Sequence, residues 1–170
     1  MSGLRLYLLR HAKSSWAEPG MADFDRPLAE RGHLSATAMG HLMTEEAFLP
    51  ELLLCSTAQR TRETLAYLLA HFRHEMTVRL TRGIYEASAD DLLGLIRQWG
   101  GTARSLLLIG HNPAIEELAQ SLAPSGDEPA LTRLAAKFPT AALAVIDFGA
   151  AQWSEIGSGA GRLAAYHTPE

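Results

Sequence analysis

Short apolar runs alternate along the chain with longer segments whose apolar residues recur at helical spacing. The runs predict buried strands at residues 4–9, 51–56, 77–80, 106–109, 141–148 and 161–166. The segments between them predict helices at residues 29–46, 57–72, 88–99 and 112–123. This alternation predicts an α/β fold, with a three-layer, doubly wound, mostly parallel sheet and helices on both faces. We expect a single domain over residues 1–170.

The helical segments also indicate which residues face the core and where each helix begins. In the first helix, Leu34, Ala38 and Leu42 recur on one side with Met39 and Met43 beside them, which is the predicted apolar face. Before the second helix, Ser56 and Thr57 are predicted N-cap residues. The third helix begins with a predicted capping box formed by Ser88 and Asp91. The fourth begins with Asn112 as the predicted N-cap and Pro113 in the first helical position.

The connection between the first strand and the first helix is long. Residues 12–27 are mostly polar and contain glycine and proline, which is typical of a loop. Loops of about this length without secondary structure are usually functional or disordered. We therefore expect residues 12–27 to cover a binding site.

Composition and charge exclude several classes of function. Of the 170 residues, 47% are hydrophobic and 20% charged, which is enough apolar surface for a packed core. The formal net charge of −4, without blocks of like charge, argues against nucleic-acid binding and against a polybasic membrane anchor. Cys55 has no second cysteine with which to form an internal disulfide. No apolar run reaches about 18 residues and no signal-peptide pattern is present, so we expect a cytoplasmic protein without membrane partners.

Polar side chains stand at the ends of three predicted strands. Arg10 and His11 follow the first strand. Arg60 lies in the first turn after the second strand, and His111 follows the fourth. Because parallel strands open on the same edge of a sheet, we expect these four side chains to meet. Together they would offer many hydrogen-bond donors, positive charge and few acceptors, which suits a phosphate dianion.

Four segments in order carry a resemblance to a known family. LRHAKSSW, DFDRPLAERG, CSTAQRTRETL and LIGHNPAIEELA resemble the phosphoglycerate mutase-like histidine phosphatase superfamily, and within it the short phosphohistidine phosphatases of the SixA type. The resemblance implies that His11 is the nucleophile that accepts the phosphoryl group. It also implies that Arg10, Arg60 and His111 hold the phosphoryl oxygens.

The chain departs from the family pattern at two places. The usual Arg-His-Gly is Arg-His-Ala here, with Ala12 in the third position, and the usual Ser-Pro after the second strand is Ser56-Thr57. Ala12 is harmless if its backbone needs no positive φ and its methyl group does not meet the phosphate. We expect both conditions to hold.

The chemistry expected of His11 also follows from its residue type. A neutral imidazole is nucleophilic near pH 7 when a second group fixes its tautomer. Arginines neutralise the charge that Mg²⁺ neutralises in other phosphoryl-transfer enzymes, so we expect neither a metal nor another cofactor.

Arg26 is either a further phosphate donor or an exposed loop residue. At the second strand end, Arg62 is the alternative to Arg60 as the arginine that turns inward.

Three carboxylates are candidates for the proton donor. By the resemblance, larger members of the superfamily protonate the leaving oxygen with a carboxylic acid, and Glu86 in GIYEAS is placed to enter the cleft. Asp23 and Asp25, in the long loop, are the alternatives. An alkoxide leaving from phosphoserine needs such an acid, whereas imidazole, with a pKa of about 6.5, needs far less help. The predicted site therefore best suits an N–P bond.

Three functions fit these observations. The first is a metal-independent phosphatase that forms phospho-His11 and dephosphorylates phosphohistidine in a signalling protein, such as a histidine phosphotransfer domain. The second is a broad phosphomonoesterase for small metabolites or for phosphoserine and phosphothreonine. The third is a phosphate-dependent binding module with weak catalysis. A short chain without a long inserted cap leaves an open cleft, which favours a protein substrate.

Overall fold

The computed structural model describes residues 3–169, and its strands form one sheet. The strands are β1 (Leu4–Arg10), β2 (Leu52–Ser56), β3 (Thr77–Thr81), β4 (Ser105–Gly110), β5 (Ser125–Gly126), β6 (Leu143–Phe148) and β7 (Gly161–His167). Their order is β3-β2-β4-β1-β6-β7-β5. The helices are α1 (Glu30–Glu45), α2 (Gln59–His71), α3 (Ala89–Trp99), α4 (Ala114–Leu122) and α5 (Glu128–Ala136).

The predicted fold class is confirmed, including its mostly parallel sheet. β4 lies between β1 and β2 and is parallel to both, and β3 is parallel to β2. β6 is antiparallel to β1 and to β7. The carboxyl ends of β1, β2 and β4 therefore open on the same edge of the sheet, which is where ligands of such folds bind.

Helices cover both faces of the sheet, as the three-layer prediction requires. Along β1, Leu6 and Leu8 face a core built with α3, α4 and α5. Tyr7 and Leu9 face the opposite core, built with α1 and α2. This alternation follows from the two-residue period of a strand. Within residues 3–169, no helix combines the length and apolar character that crossing a membrane would require.

The predicted apolar face of α1 is confirmed at Met39 and Met43 and is wrong at Leu34 and Ala38. Leu34 and Ala38 are exposed, Leu42 is half-buried, and the buried residues of the helix are Gly32, Ala36, Met39, Gly40 and Met43. The two glycines allow a close approach to neighbouring segments, since a methyl group on Gly32 would collide with the Lys13 carbonyl oxygen. The packing thus places small residues beside the two methionines, where the sequence pattern placed Leu34 and Ala38.

Two of the predicted helix starts also need correction, and one is confirmed. α2 begins at Gln59 after Ala58, and neither Ser56 nor Thr57 caps it. The Ser56 hydroxyl instead accepts a hydrogen bond from the Ala58 amide and contacts a histidine of the candidate site. The capping box at the start of α3 is present as predicted.

α4 begins one residue later than predicted, at Ala114. Asn112 still serves the helix start, because its side-chain oxygen accepts from the Glu116 amide at 3.3 Å. α5 was not predicted at all. It is a short helix of nine residues whose cap is Asp127, which accepts from the Ala130 amide at 3.0 Å.

Gly32 provides a test of the corrected packing. We expect Gly32→Ala to lower the free energy of unfolding by about 1–3 kcal/mol, because the methyl group would press on the loop that follows β1. Gly94→Ala is the matched control, since a methyl group there meets nothing within 4 Å. In the helix interior that control should gain about 0.5–1 kcal/mol. Urea unfolding measures both, and equal stability of Gly32→Ala and the wild type would contradict this packing.

Candidate active site

Parallel pairing of β1 with β4 brings two histidines together. Arg10 lies opposite Gly110 in the register, so His11 and His111 leave the sheet side by side. Their ring centroids are 5.3 Å apart. The His11 amide donates to the Gly110 carbonyl at 3.1 Å, and both histidines are buried.

The hydrogen bond of His11 defines which of its nitrogens can react. Nδ1 lies 2.7 Å from the carbonyl oxygen of Ala12. A carbonyl oxygen only accepts, so Nδ1 carries the proton of the neutral ring. The lone pair is then on Nε2, which has no hydrogen-bond partner within residues 3–169. His11 therefore has the tautomer that a nucleophile needs.

His111 has the opposite tautomer in this structure. The Arg60 guanidinium lies 3.5 Å from its Nδ1 and can only donate, so Nδ1 is the acceptor. Nε2–H then donates to the Ser56 hydroxyl at 2.9 Å. This contact is why Ser56 does not cap α2.

Both histidines are neutral over a wide pH range. Burial, together with the charges of His111, Arg60 and Arg10, lowers the pKa of His11 to about 3. Burial and the neighbouring arginines also lower the pKa of His111 to about 4. The positive charges next to these rings disfavour a further proton on either of them.

The start of the loop after β1 is held by hydrogen bonds with two other segments of the chain. The Ala12 amide donates to the Thr64 hydroxyl of α2 at 3.0 Å. The Ala141 amide donates to the carbonyls of both Arg10 and His11, at 3.0 Å each. Ala141 makes these bonds from a positive φ of 63°, a conformation that costs energy for a residue other than glycine.

The two conditions for a harmless Ala12 are met. Ala12 is not among the residues with positive φ. Its side chain is buried in the α1 and α2 core and does not line the cavity beside His11. The absence of the family's usual glycine therefore leaves the cavity unobstructed.

A cavity of about 220 Å³ lies in front of the two histidines. Arg10, Arg26 and Arg60 all line it, so the structure brings the predicted arginines together. The Nε atoms of Arg10 and Arg60 are buried and have no acceptor within residues 3–169. Arg62, the alternative to Arg60, is exposed. The cavity thus offers several N–H donors at short range, which is the requirement for binding an oxyanion.

Asp23 is the carboxylate that contacts these arginines. It accepts from Arg60 Nη2 at 3.0 Å and from Arg26 Nε at 3.0 Å. The Tyr85 hydroxyl also donates to it at 2.6 Å. The hydrogen bond from Tyr85 is the main cause that lowers the pKa of Asp23 to about 2, and the two arginines lower it further. Asp23 is therefore an ionised acceptor at neutral pH and holds no proton to donate.

The other two candidate proton donors lie away from the cavity. Glu86 is exposed and does not line the cavity, although its neighbour Tyr85 packs edge-on against His111. Asp25 is exposed in the short 3-10 turn Asp23–Asp25. The structure thus brings together Arg10, His11, Arg26, Arg60 and His111, and leaves Glu86 outside that group.

Several residues of the site were not predicted. The Ser14 hydroxyl accepts from Arg26 Nη1 at 2.7 Å, and Trp16 is stacked under the same guanidinium at 3.5 Å. Ser14 and Trp16 follow Arg10 and His11 closely in the long loop. This position was the signal in the sequence that could have identified them as site residues. Asn112 and Thr140 also line the cavity, but only the folded chain brings Thr140 to it.

The site offers cationic and imidazole groups rather than a set of metal ligands. Among the described residues, no three His, Cys, Asp or Glu side chains are placed to hold a metal ion. The chemistry open to these side chains is anion binding by guanidinium groups combined with attack by a neutral imidazole.

The comparisons with known proteins agree with this geometry. The model of the histidine phosphatase superfamily (branch 1) matches residues 6–105. The chain belongs to the histidine phosphatase superfamily. A Mycobacterium tuberculosis protein of uncharacterized function is 36% identical over 163 residues, which cover 95% of this chain and 99% of that protein.

Two solved structures share nearly the whole fold. A chain from Agrobacterium tumefaciens, assigned as the phosphohistidine phosphatase SixA, is 32% identical with a TM-score of 0.81 and covers 98% of this chain and 99% of its own length. A chain from Nakamurella multipartitia with the same assignment is 27% identical with a TM-score of 0.82, at 98% and 96% coverage. The resemblance to SixA-type proteins is thereby confirmed.

The lowered pKa values of the histidines predict how the site responds to acid. In the folded protein His11 and His111 should stay neutral as the pH falls through about 6.5, where an unfolded histidine takes up a proton. Because the unfolded state then binds more protons, their contribution to stability is complete above about pH 6.5 and is lost towards pH 4 and 3. Imidazole ¹⁵N NMR at about pH 5.5 measures this, with the urea-unfolded protein as control. Protonation of folded His11 near pH 6.5 would contradict the prediction.

Proposed function

We propose that this protein hydrolyses the N–P bond of phosphohistidine in a substrate protein, through transient phosphorylation of its own His11. Membership of the superfamily and the solved relatives support a phosphatase. The observation that carries the proposal is the unprotonated Nε2 of His11, in a cavity lined by three arginines. The relatives assigned as phosphohistidine phosphatases support the choice of substrate class.

The first step transfers the phosphoryl group to the protein. The Nε2 lone pair attacks phosphorus, and the bond between phosphorus and the substrate imidazole breaks with its electron pair going to that imidazole. The departing nitrogen takes a proton from water. Arg10, Arg26 and Arg60 supply the positive charge that stabilises the phosphoryl oxygens during transfer, so no metal has a required role.

The second step returns the protein to its starting state. Water attacks the phosphorus of phospho-His11, the N–P bond breaks, and inorganic phosphate leaves. The Ala12 carbonyl holds Nδ1–H of His11 throughout, so Nε2 recovers its lone pair when the phosphoryl group departs. A phosphoryl dianion beside His111 raises the pKa of that ring above its value in the free protein, because negative charge favours the protonated form.

The placement of the carboxylates supports an N–P bond over an O–P bond. Asp23 is ionised and bound to the arginines, and Glu86 lies outside the cavity. A site without a positioned carboxylic acid is poorly suited to protonate an alkoxide, but an imidazole leaving group needs little assistance.

The dimensions of the cavity support a protein-borne substrate. Sites that enclose a small molecule usually have about 300–1,000 Å³, whereas this cavity has about 220 Å³. It accommodates a phosphoryl group and leaves the rest of the substrate outside. We propose a phosphorylated signalling protein, such as a histidine phosphotransfer domain in the cytoplasm, as the partner.

Removal of the nucleophile tests the covalent step. We expect His11→Ala to lower turnover of a phosphohistidine peptide by about three orders of magnitude, because the attacking nitrogen is gone. Labelling of the protein from a ³²P-phosphohistidine peptide should disappear as well, while tungstate should still bind to the arginines. His41→Ala, on the exposed side of α1, is the control and should behave as the wild type. Near-normal turnover by His11→Ala in the presence of EDTA would mean that water attacks the substrate directly.

Leaving-group dependence tests the substrate class. We expect the wild type to cleave a phosphohistidine peptide faster than a phosphoserine peptide by about 10²–10⁴, the factor that general acid catalysis supplies to poor leaving groups. Glu86→Gln should leave turnover of the phosphohistidine peptide and of p-nitrophenyl phosphate unchanged. A selective loss of phosphoserine cleavage in Glu86→Gln would identify Glu86 as the acid and favour a broad phosphomonoesterase.

A further inference from the structure

A second depression, here named the lysine groove, opens beside the phosphate-sized cavity. Its volume is about 540 Å³, more than twice that of the cavity. Lys13 and Thr140 line both depressions, so the two are adjacent. The groove runs between α1 and α5, and the residues that define it are Lys13, Arg31, Leu34, Arg133, Lys137 and Tyr166.

The lysine groove concentrates positive charge on a chain that is acidic overall. The sequence contains only two lysines, Lys13 and Lys137, and both line this groove. Arg31 and Arg133 add two more cations, and the described lining residues include no Asp or Glu. Within residues 3–169, none of the four cations forms a salt bridge. Against a formal net charge of −4, this is a local surface that attracts anions.

The groove also has an apolar component. Leu34 is 69% exposed, although it lies at helical spacing with other apolar residues of α1. Ala136 and Pro139 line the opposite wall. An exposed leucine beside unpaired cations matches a partner segment that carries both carboxylates and apolar side chains.

We propose that the lysine groove binds an acidic segment of the substrate protein, next to the phosphorylated histidine that enters the cavity. This inference rests on the proposed function and adds the rule by which the substrate is chosen. Lys13 lines both depressions, whereas Arg31, Arg133 and Lys137 line only the groove. Carboxylates that flank a phosphohistidine in the cavity would therefore lie next to cations.

The surface suits an acidic protein segment better than a nucleic acid. Tyr166 is only 3% exposed, and its hydroxyl is bound to the Lys137 carbonyl, so its ring offers no face for stacking a base. Single-stranded nucleic-acid sites usually combine a basic groove with such aromatic faces. Leu34 likewise provides an apolar contact rather than a stacking platform.

Hydrolysis provides the first test. The probes are an acidic phosphohistidine peptide, its counterpart with glutamine in place of each Glu and Asp, and p-nitrophenyl phosphate. We expect the wild type to prefer the acidic peptide in kcat/KM by about fivefold or more, the combined effect of a few exposed ion pairs. The double variant Arg31→Glu with Lys137→Glu should lose this preference and keep its activity on p-nitrophenyl phosphate. Arg79→Glu, on the opposite edge strand β3, is the matched control and should retain the preference.

Chemical footprinting provides a second test that needs no turnover. The unphosphorylated acidic peptide should slow acetylation of Lys13 and Lys137 by an amine-reactive ester, and the glutamine counterpart should not. Mass spectrometry reads each lysine separately. Slower acetylation of Lys137 in particular supports the proposal, because Lys137 lines the groove but not the phosphate cavity.

The outcomes separate the groove from the proposed function. If the wild type hydrolyses both phosphohistidine peptides equally and neither peptide slows acetylation, the groove proposal is wrong while the function stands. If the wild type cleaves only p-nitrophenyl phosphate, the proposed function is wrong, and protection by the acidic peptide alone would still support the groove. Stronger protection of both lysines by a DNA oligonucleotide, or equal protection by inorganic phosphate, would overturn the acidic-segment assignment.

Discussion

Three guanidinium groups repel one another in the site, and the surrounding residues are arranged to balance their charge. Arg10, Arg26 and Arg60 line one cavity of about 220 Å³. Positive charges that line one small cavity are tolerated only when hydrogen-bond acceptors balance them. In the structure, Asp23 balances Arg26 and Arg60, while the Phe138 carbonyl accepts from Arg10.

Burial, and then the same crowding of positive charge, lowers the pKa of both histidines. An imidazole beside these groups and away from water does not take up a proton, so His11 keeps its lone pair at a pH where a free histidine would be partly charged. The arginines that would bind the anion thus add to the effect of burial, which keeps His11 unprotonated. Asp23 accepts from Arg60, so a phosphoryl group that bound Arg60 would compete with the carboxylate for that guanidinium.

The fold contributes the register that makes this crowding possible. His11 and His111 belong to adjacent parallel strands, and this part of the site could be predicted from the sequence because each histidine follows an apolar run directly. The role of Asp23 could not, since its partners are brought to it by the long loop and by α2. The position of Leu34 on α1 was mispredicted for a related reason: whether Gly32 or Leu34 faces inward depends on the neighbouring loop, which the helix pattern does not contain.

The sequence pattern also did not predict that the surface has two cationic regions, the phosphate cavity and the lysine groove. Apart from Lys13, arginines supply all the positive charge at the phosphate cavity. A fixed, planar guanidinium suits a tetrahedral anion. Both lysines lie in the outer groove, where a flexible ammonium can reach carboxylates at variable positions. The buried cations are shielded from salt, whereas the exposed ones are screened over about 8–10 Å at physiological ionic strength. Recognition of the protein partner would therefore weaken with salt before the chemistry at His11 does, so the two regions contribute separately to substrate selection and to catalysis.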